Sequence, residues 1–210
     1  MKKLCIIGMG NMGKVIFDGL KDAGIFEVSG VGRGDNVNAA LESVDFFMIA
    51  VKPQGAAELA NEITVDLSGK VAISIMAGVS AAKIRELFGV KKVARVMPGM
   101  PVKYGSGFSG WFADGLEEGE KDLVRQSLAS FGEEMEVLDE TKIDEITALY
   151  GSGIAYYYRL NRAFRMKALD LGYSDDDARK IVRSTFLGAA ELLKGSGECS
   201  GKLISQIASK

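Results

Sequence analysis

The sequence predicts an α/β protein: a Rossmann-type, doubly wound and mostly parallel sheet, followed by a small all-α segment. Three observations carry this. The apolar run Leu4 to Ile7 passes straight into Gly8, Gly10 and Gly13, spaced G-x-G-x-x-G. From there to about residue 140, short β-type runs alternate with amphipathic stretches. From Thr141 strand patterns vanish, and the last 70 residues read as helices. The expected division is therefore 1–140 for a dinucleotide-binding domain and 141–210 for a helical dimerisation domain.

The glycines are the first element to justify. In such a turn the first allows the tight bend, the second lets a pyrophosphate approach the backbone, and the third lets the following helix pack on the strand. An anion then rests on the helix N-terminus, where free N–H groups and the positive dipole end meet it. The amphipathic pattern Val15, Ile16, Leu20 supplies that helix and stops near Gly24. A merely structural glycine turn is the alternative.

Glu27 to Gly32 reads as a second strand, and Arg33 follows it. An acidic residue about 20 positions past the glycines suits the ribose hydroxyls of NAD, whereas an arginine there accepts a 2′-phosphate. Arg33 stands 20 residues after Gly13, so NADPH is favoured, with Asp35 keeping NADH open. Arg33 also reads as a solvated loop residue. Only Gly34 to Val44 separates this strand from the next, room for one short helix at Val37 to Glu42.

Asp45 to Val51 is nearly continuous apolar sequence, as a parallel strand buried on both faces requires. Lys52, Pro53 and Gln54 end it at the carboxyl edge of the sheet, where ligands bind in open α/β folds. Lys52 reads equally as a cofactor contact or a charged loop residue. A helix over Gln54–Ile63, a strand over Val71–Met76 and a helix over Ala81–Phe88 follow. Val93 to Met97 is a further strand, broken by Pro98 and Pro101. Ser106–Phe112 reads as a strand, Glu117–Phe131 as a helix and Met135–Leu138 as a last strand. Trp111 and the nearby Phe residues read as core.

Helices are expected over Lys142–Leu149, Ile154–Leu171 and Asp175–Lys194, with another beginning at Gly201. Ser174 with Asp177 signals the third start, and Asp175 to Asp177 add negative charge there. Seventy residues make a thin core. A homodimer or higher homo-oligomer that buries Tyr157, Leu160, Phe164, Ile181, Phe186 and Leu187 would stabilise them. Tyr150 and Ser152 lie near a helix start that could face a ligand, though capping and packing explain them as well.

Bulk properties narrow the function. Lys+Arg number 26 against Asp+Glu 28, a formal charge of -2, and no basic block points to nucleic acid. No apolar run approaches the roughly 18 residues of a membrane span, so a cytoplasmic protein is expected. Cys5 and Cys199 are too far apart and too isolated for a disulfide framework or zinc site, and no metal is expected. There are no histidines, which excludes an imidazole base, a Ser-His-Asp triad and His-ligated metal.

The chain resembles the pyrroline-5-carboxylate reductase family over essentially its whole length. The matching pieces run in order: IIGMGNMG from Ile6, AVKPQ from Ala50, SIMAGVS from Ser74, RVMPGMP from Arg95, DEITALYGSGIAYYY from Asp144 and STFLGAAELL from Ser184. The resemblance implies an NADPH- or NADH-dependent oxidoreductase that reduces the cyclic imine 1-pyrroline-5-carboxylate to L-proline, a step of proline biosynthesis. It implies that Gly8, Met9, Gly10, Asn11, Met12 and Gly13 hold the pyrophosphate. Arg33 would take the adenosine end, and Ala50, Val51, Lys52 and Pro53 the ribose and nicotinamide side. Hydride transfer to a protonated imine needs no strong side-chain acid, in keeping with the missing histidine.

Three departures from the family pattern stand out. Gly99 and Met100 replace the Asn and Thr of the usual M-P-N-T-P, beside the expected nicotinamide pocket. The segment between Arg33 and Asp45 is short by about one helix and strand, which would leave the second strand at a sheet edge. Leu203 to Lys210 resembles the lead-in to the family's glycine- and threonine-rich substrate loop, and the sequence is expected to stop before that loop. Two alternatives therefore accompany the reductase reading: a cofactor-binding paralogue without turnover, and an NADP-dependent reductase of another imine or carbonyl compound.

Overall fold

The structure is a computed structural model that describes residues 1–208. Its strands are β1 (Lys3–Ile7), β2 (Glu27–Val31), β3 (Phe46–Ile49), β4 (Val71–Ser74), β5 (Lys92–Pro98), β6 (Gly107–Asp114) and β7 (Gly132–Glu136). They form one sheet in the order β2-β1-β3-β4-β5-β6-β7. Every pairing is parallel except β5 with β6.

Alternation along the central strands explains the two layers. Cys5, Ile7, Phe47, Ile49 and Ala72 face one way. They pack on Val37 and Leu41 of α2 (Val37–Glu42), Leu59 of α3 (Ala56–Glu62), and Ile84 and Phe88 of α4 (Ala81–Phe88). Leu4, Ile6, Phe46, Met48, Val71 and Ile73 face the other way. These meet Ile16 and Leu20 of α1 (Asn11–Ala23), and Val124 and Leu128 of α5 (Glu118–Ala129). Strands β3 and β4 are buried at every residue, the reason their sequences are uninterrupted apolar runs.

Helix ends follow local chemistry. Asn36 accepts the Ala39 N–H at 3.1 Å, and Ser80 accepts the Lys83 N–H at 3.2 Å. Gly24 and Gly89 close α1 and α4 in the left-handed conformation.

Several boundaries depart from the sequence reading. Pro53–Gly55 forms a 3-10 turn before α3, because proline opens a helix but cannot donate to one. The last strand is Gly132–Glu136 rather than Met135–Leu138. Its sequence, GEEME, lacks the apolar alternation that marks a strand. It pairs because Gly132, at φ 137°, brings its backbone against Gly107. The expected helix over Lys142–Leu149 is α6 (Thr141–Ile146), continued by a π-helical turn at Thr147–Gly151. As the short connection after Arg33 predicts, β2 lies at the sheet edge.

By packing, the chain divides after Ser152. Composition placed the border at 140/141; α6 stays with the sheet because Ile143 and Ile146 bury against Met97. The second unit contains α7 (Ile154–Asp170), α8 (Asp175–Ser196) and α9 (Ser200–Ile207). Ser174 caps α8 by accepting the Asp177 N–H at 3.2 Å. Phe164 and Phe186 meet edge to face at 5.9 Å, and Asp175 binds Arg165 and Arg179. Few side chains are buried here, whereas Tyr157, Leu160, Phe164, Ile181 and Leu187 are exposed and Phe186 half-buried. In the segment Leu203 to Lys210, residues 209 and 210 lie outside the described residues. Among the described residues no helix is long and apolar enough to cross a membrane.

Candidate active site

The turn after β1 sits between two neighbouring strand tips. Gly8 donates its N–H to Val31 O at 2.9 Å, and Ala50 donates to Ile7 O at 2.8 Å. Gly8 has φ 105°, and a Cβ there would lie 2.7 Å from Ala50 O. At Gly13 a Cβ would lie 2.0 Å from Gly8 O, so α1 packs directly on the turn that begins it. Both glycines are sterically required.

Gly10 differs. It is exposed, and a Cβ there would meet nothing within 4 Å. The structure around it therefore leaves open the space above the backbone. Gly10 is the N-cap of α1, with no side-chain cap and no acidic residue in the first turn. The first helical bond runs from Lys14 N–H to Gly10 O at 2.9 Å, which leaves the amides of Asn11, Met12 and Gly13 as free donors. A cradle of bare amides at a dipole's positive end fits a diphosphate.

The side chains of Met9 and Met12 turn inward. The Met9 sulfur lies where a Cβ on Gly30 would approach to 2.7 Å, and both methionines pack against the core face that α1 covers. At the tip of β2, Asp35 Oδ2 accepts the Gly32 N–H at 2.7 Å and so helps close its own loop. Arg33 is exposed and forms no ion pair among the described residues. A free, exposed guanidinium at this strand tip suits a phosphate.

Beyond β3, Ala50 and Val51 are half-buried, and Lys52 and Pro53 are exposed at the start of the 3-10 turn. At the tip of β4, Ser74 Oγ accepts the Met76 N–H at 3.3 Å, and Gly78 turns the exposed loop with φ 70°. At the tip of β5, Pro98 and Gly99 are buried. A Cβ on Gly99 would lie 2.3 to 2.8 Å from the ring and hydroxyl of Tyr150. The Tyr150 oxygen accepts the Phe108 N–H at 2.9 Å. The sequence pointed to both positions but not to their contact. The glycine in MPG, where a family side chain is expected, was the available signal.

Sequence reasoning also missed Arg95. Its side chain is 4% exposed on β5 and is held by Glu140 and Asp144. A lone cation within the apolar strand VARVM was the clue. Cys5 is buried, and burial pushes its thiol pKa up, a weaker effect of Ser29 opposing it; it packs as a small protonated apolar group. Among the described residues no three His, Cys, Asp or Glu side chains converge to hold a metal.

Comparison with known proteins decides the family. Residues 140–210 match the model for pyrroline-5-carboxylate reductase dimerisation. The pyrroline-5-carboxylate reductase of Haemophilus influenzae is 30% identical over 212 residues, covering 91% of this chain and 78% of that protein. The chain belongs to the pyrroline-5-carboxylate reductase family. A pyrroline carboxylate reductase of Plasmodium falciparum, solved with NADP bound, superposes with a TM-score of 0.89 at 28% identity, covering all of this chain and 85% of that one. The Coxiella burnetii pyrroline-5-carboxylate reductase gives 0.84 at 26%, covering all of this chain and 86% of that one. Within this reductase family, the helical unit described above is part of the dimerisation domain, so the chain carries the means of self-association.

Proposed function

We propose that this chain reduces 1-pyrroline-5-carboxylate to L-proline with NADPH, as a homodimer or larger homo-oligomer in the cytoplasm. One observation carries the reading: a bare-amide cradle in which Gly10, alone of the turn's Gly8, Gly10 and Gly13, has open space above it, in a chain of this reductase family. NADH remains the weaker candidate, because Asp35 is engaged by Gly32 while Arg33 is free.

When bound, the nicotinamide supplies a hydride. The chain's own residues do the rest. The backbone from Gly8 to Gly13, through the amides of Asn11, Met12 and Gly13, holds the diphosphate, and Arg33 grips the 2′-phosphate. Ala50, Val51, Lys52 and Pro53 form the wall beside the ribose and nicotinamide. Positioning dominates, since bringing donor and acceptor to near-attack distance supplies much of the rate. An imine protonated on nitrogen needs no further acid from the protein: hydride arriving at carbon leaves a neutral amine, which takes its proton from solvent.

Fluorescence titration with NADPH tests the cofactor half; saturable binding that Arg33→Ala weakens is expected. Loss of NADPH absorbance on adding 1-pyrroline-5-carboxylate tests the reaction. A second reading, reduction of a different imine, has one observation in its favour: Tyr150 occupies the space over Gly99. A panel of cyclic imines separates the two.

A further inference from the structure

We propose that Tyr150 contacts the substrate and sets its specificity at the tip of β5, with Gly99 as its obligate partner; this rests on the reductase reading above. Gly99 is buried under the phenol so closely that any side chain at 99 would displace the ring. The side chain at this corner of the sheet edge is thus supplied by Tyr150 and not by residue 99.

The local backbone is built to deliver it. Tyr150 lies in the π-helical turn Thr147–Gly151, closed by Ser152 N–H to Thr147 O at 2.9 Å. Such turns are rare and concentrate at functional sites. The ring packs edge to face on Phe108 at 5.3 Å, which fixes its plane. Its oxygen accepts the Phe108 N–H, so the hydroxyl proton remains as a donor. Among the described residues that hydroxyl donates no hydrogen bond.

The spare donor selects a chemical partner. On a cyclic imino acid, the protonated nitrogen has only a hydrogen to offer. The carboxylate has only lone pairs. Tyr150 O–H therefore matches the carboxylate, and its contribution is discrimination between imines that carry this group and imines that lack it.

The experiment compares 1-pyrroline-5-carboxylate with unsubstituted 1-pyrroline in the full chain. Tyr150→Phe keeps the ring and removes the donor. It should raise KM for the carboxylated imine about tenfold, the loss of one hydrogen bond to a charged group, and shrink the preference over 1-pyrroline by the same factor. NADPH affinity should not follow. Gly99→Ala, which moves the ring without altering its hydroxyl, should shrink the preference too, and it replaces Tyr150→Phe should that variant not fold. A tyrosine that only terminates the strand ladder would lower the thermal midpoint and leave the preference intact, which overturns the inference alone. A wild-type chain that reduces neither imine overturns the proposed function and this inference together.

Discussion

Arg95 Nη1 lies 2.7 Å from Glu140 Oε1, and the same oxygen accepts the Ala81 N–H at 2.7 Å. One carboxylate thus joins β5, the start of α4 and the segment entering α6. Asp144 completes the cage at 3.0 Å. Deleting one partner of a buried pair leaves an uncompensated charge. Glu140→Ala should therefore cost about 2 kcal/mol, below the roughly 3 to 5 kcal/mol of a fully buried pair because Glu140 is 28% exposed and Asp144 still pairs with Arg95. Urea unfolding checks this; a change under about 0.5 kcal/mol would place the ion pair among inert surface contacts.

The three glycines of the turn should respond differently to alanine. Gly8→Ala and Gly13→Ala drive a Cβ into backbone oxygens and should cost about 3 kcal/mol or more. Gly10→Ala has room in this structure, so its thermal midpoint should stay near wild type. Its NADPH affinity should fall at least about tenfold if the diphosphate lies over Gly10 as proposed, because the added methyl would enter that space. Equal affinity for NADPH in Gly10→Ala and wild type would move the cofactor elsewhere.

Arg33→Ala should weaken NADPH by about tenfold or more and leave NADH nearly unchanged, the result expected if the guanidinium serves the 2′-phosphate as proposed. Parallel titrations with the two cofactors measure the ratio. Equal losses for both would make Arg33 a general electrostatic contact.

The helical unit should weaken in acid. The Arg165 guanidinium, with Arg179 beyond it, holds the Asp175 carboxyl below its ordinary value despite opposing desolvation. A carboxyl with a depressed folded pKa stabilises the fold above its unfolded pKa and loses that contribution as pH falls through the folded one. The loss thus sets in below about pH 4. Asp175→Asn should remove this part of the acid dependence while lowering stability at neutral pH. Thermal midpoints of both proteins between pH 7 and pH 3 would show it; identical slopes would contradict it.

Much of this fold was readable because its local signals agree. Leu4 to Ile7 could only be a buried strand before three glycines, and Ser174 with Asp177 marked a helix start that the structure keeps. The short path from Arg33 to Asp45 implied an edge position for β2. Strand β7 was misplaced because its stability comes from backbone pairing with β6 and from Gly132, not from apolar alternation. The site was half legible. Its glycines announce themselves by spacing, but Gly99 and Tyr150 meet across 51 positions of sequence, and Arg95 meets Glu140 across 45. No periodicity encodes such contacts.

Hydride transfer to the imine carbon is the claim on which the account rests, and isotopic labelling reads it directly. Incubation of the full chain with NADPH deuterated at both C4 positions and 1-pyrroline-5-carboxylate should yield proline one mass unit heavier, with the label at C5. Proline of unchanged mass, or no proline at high protein concentration, would contradict it.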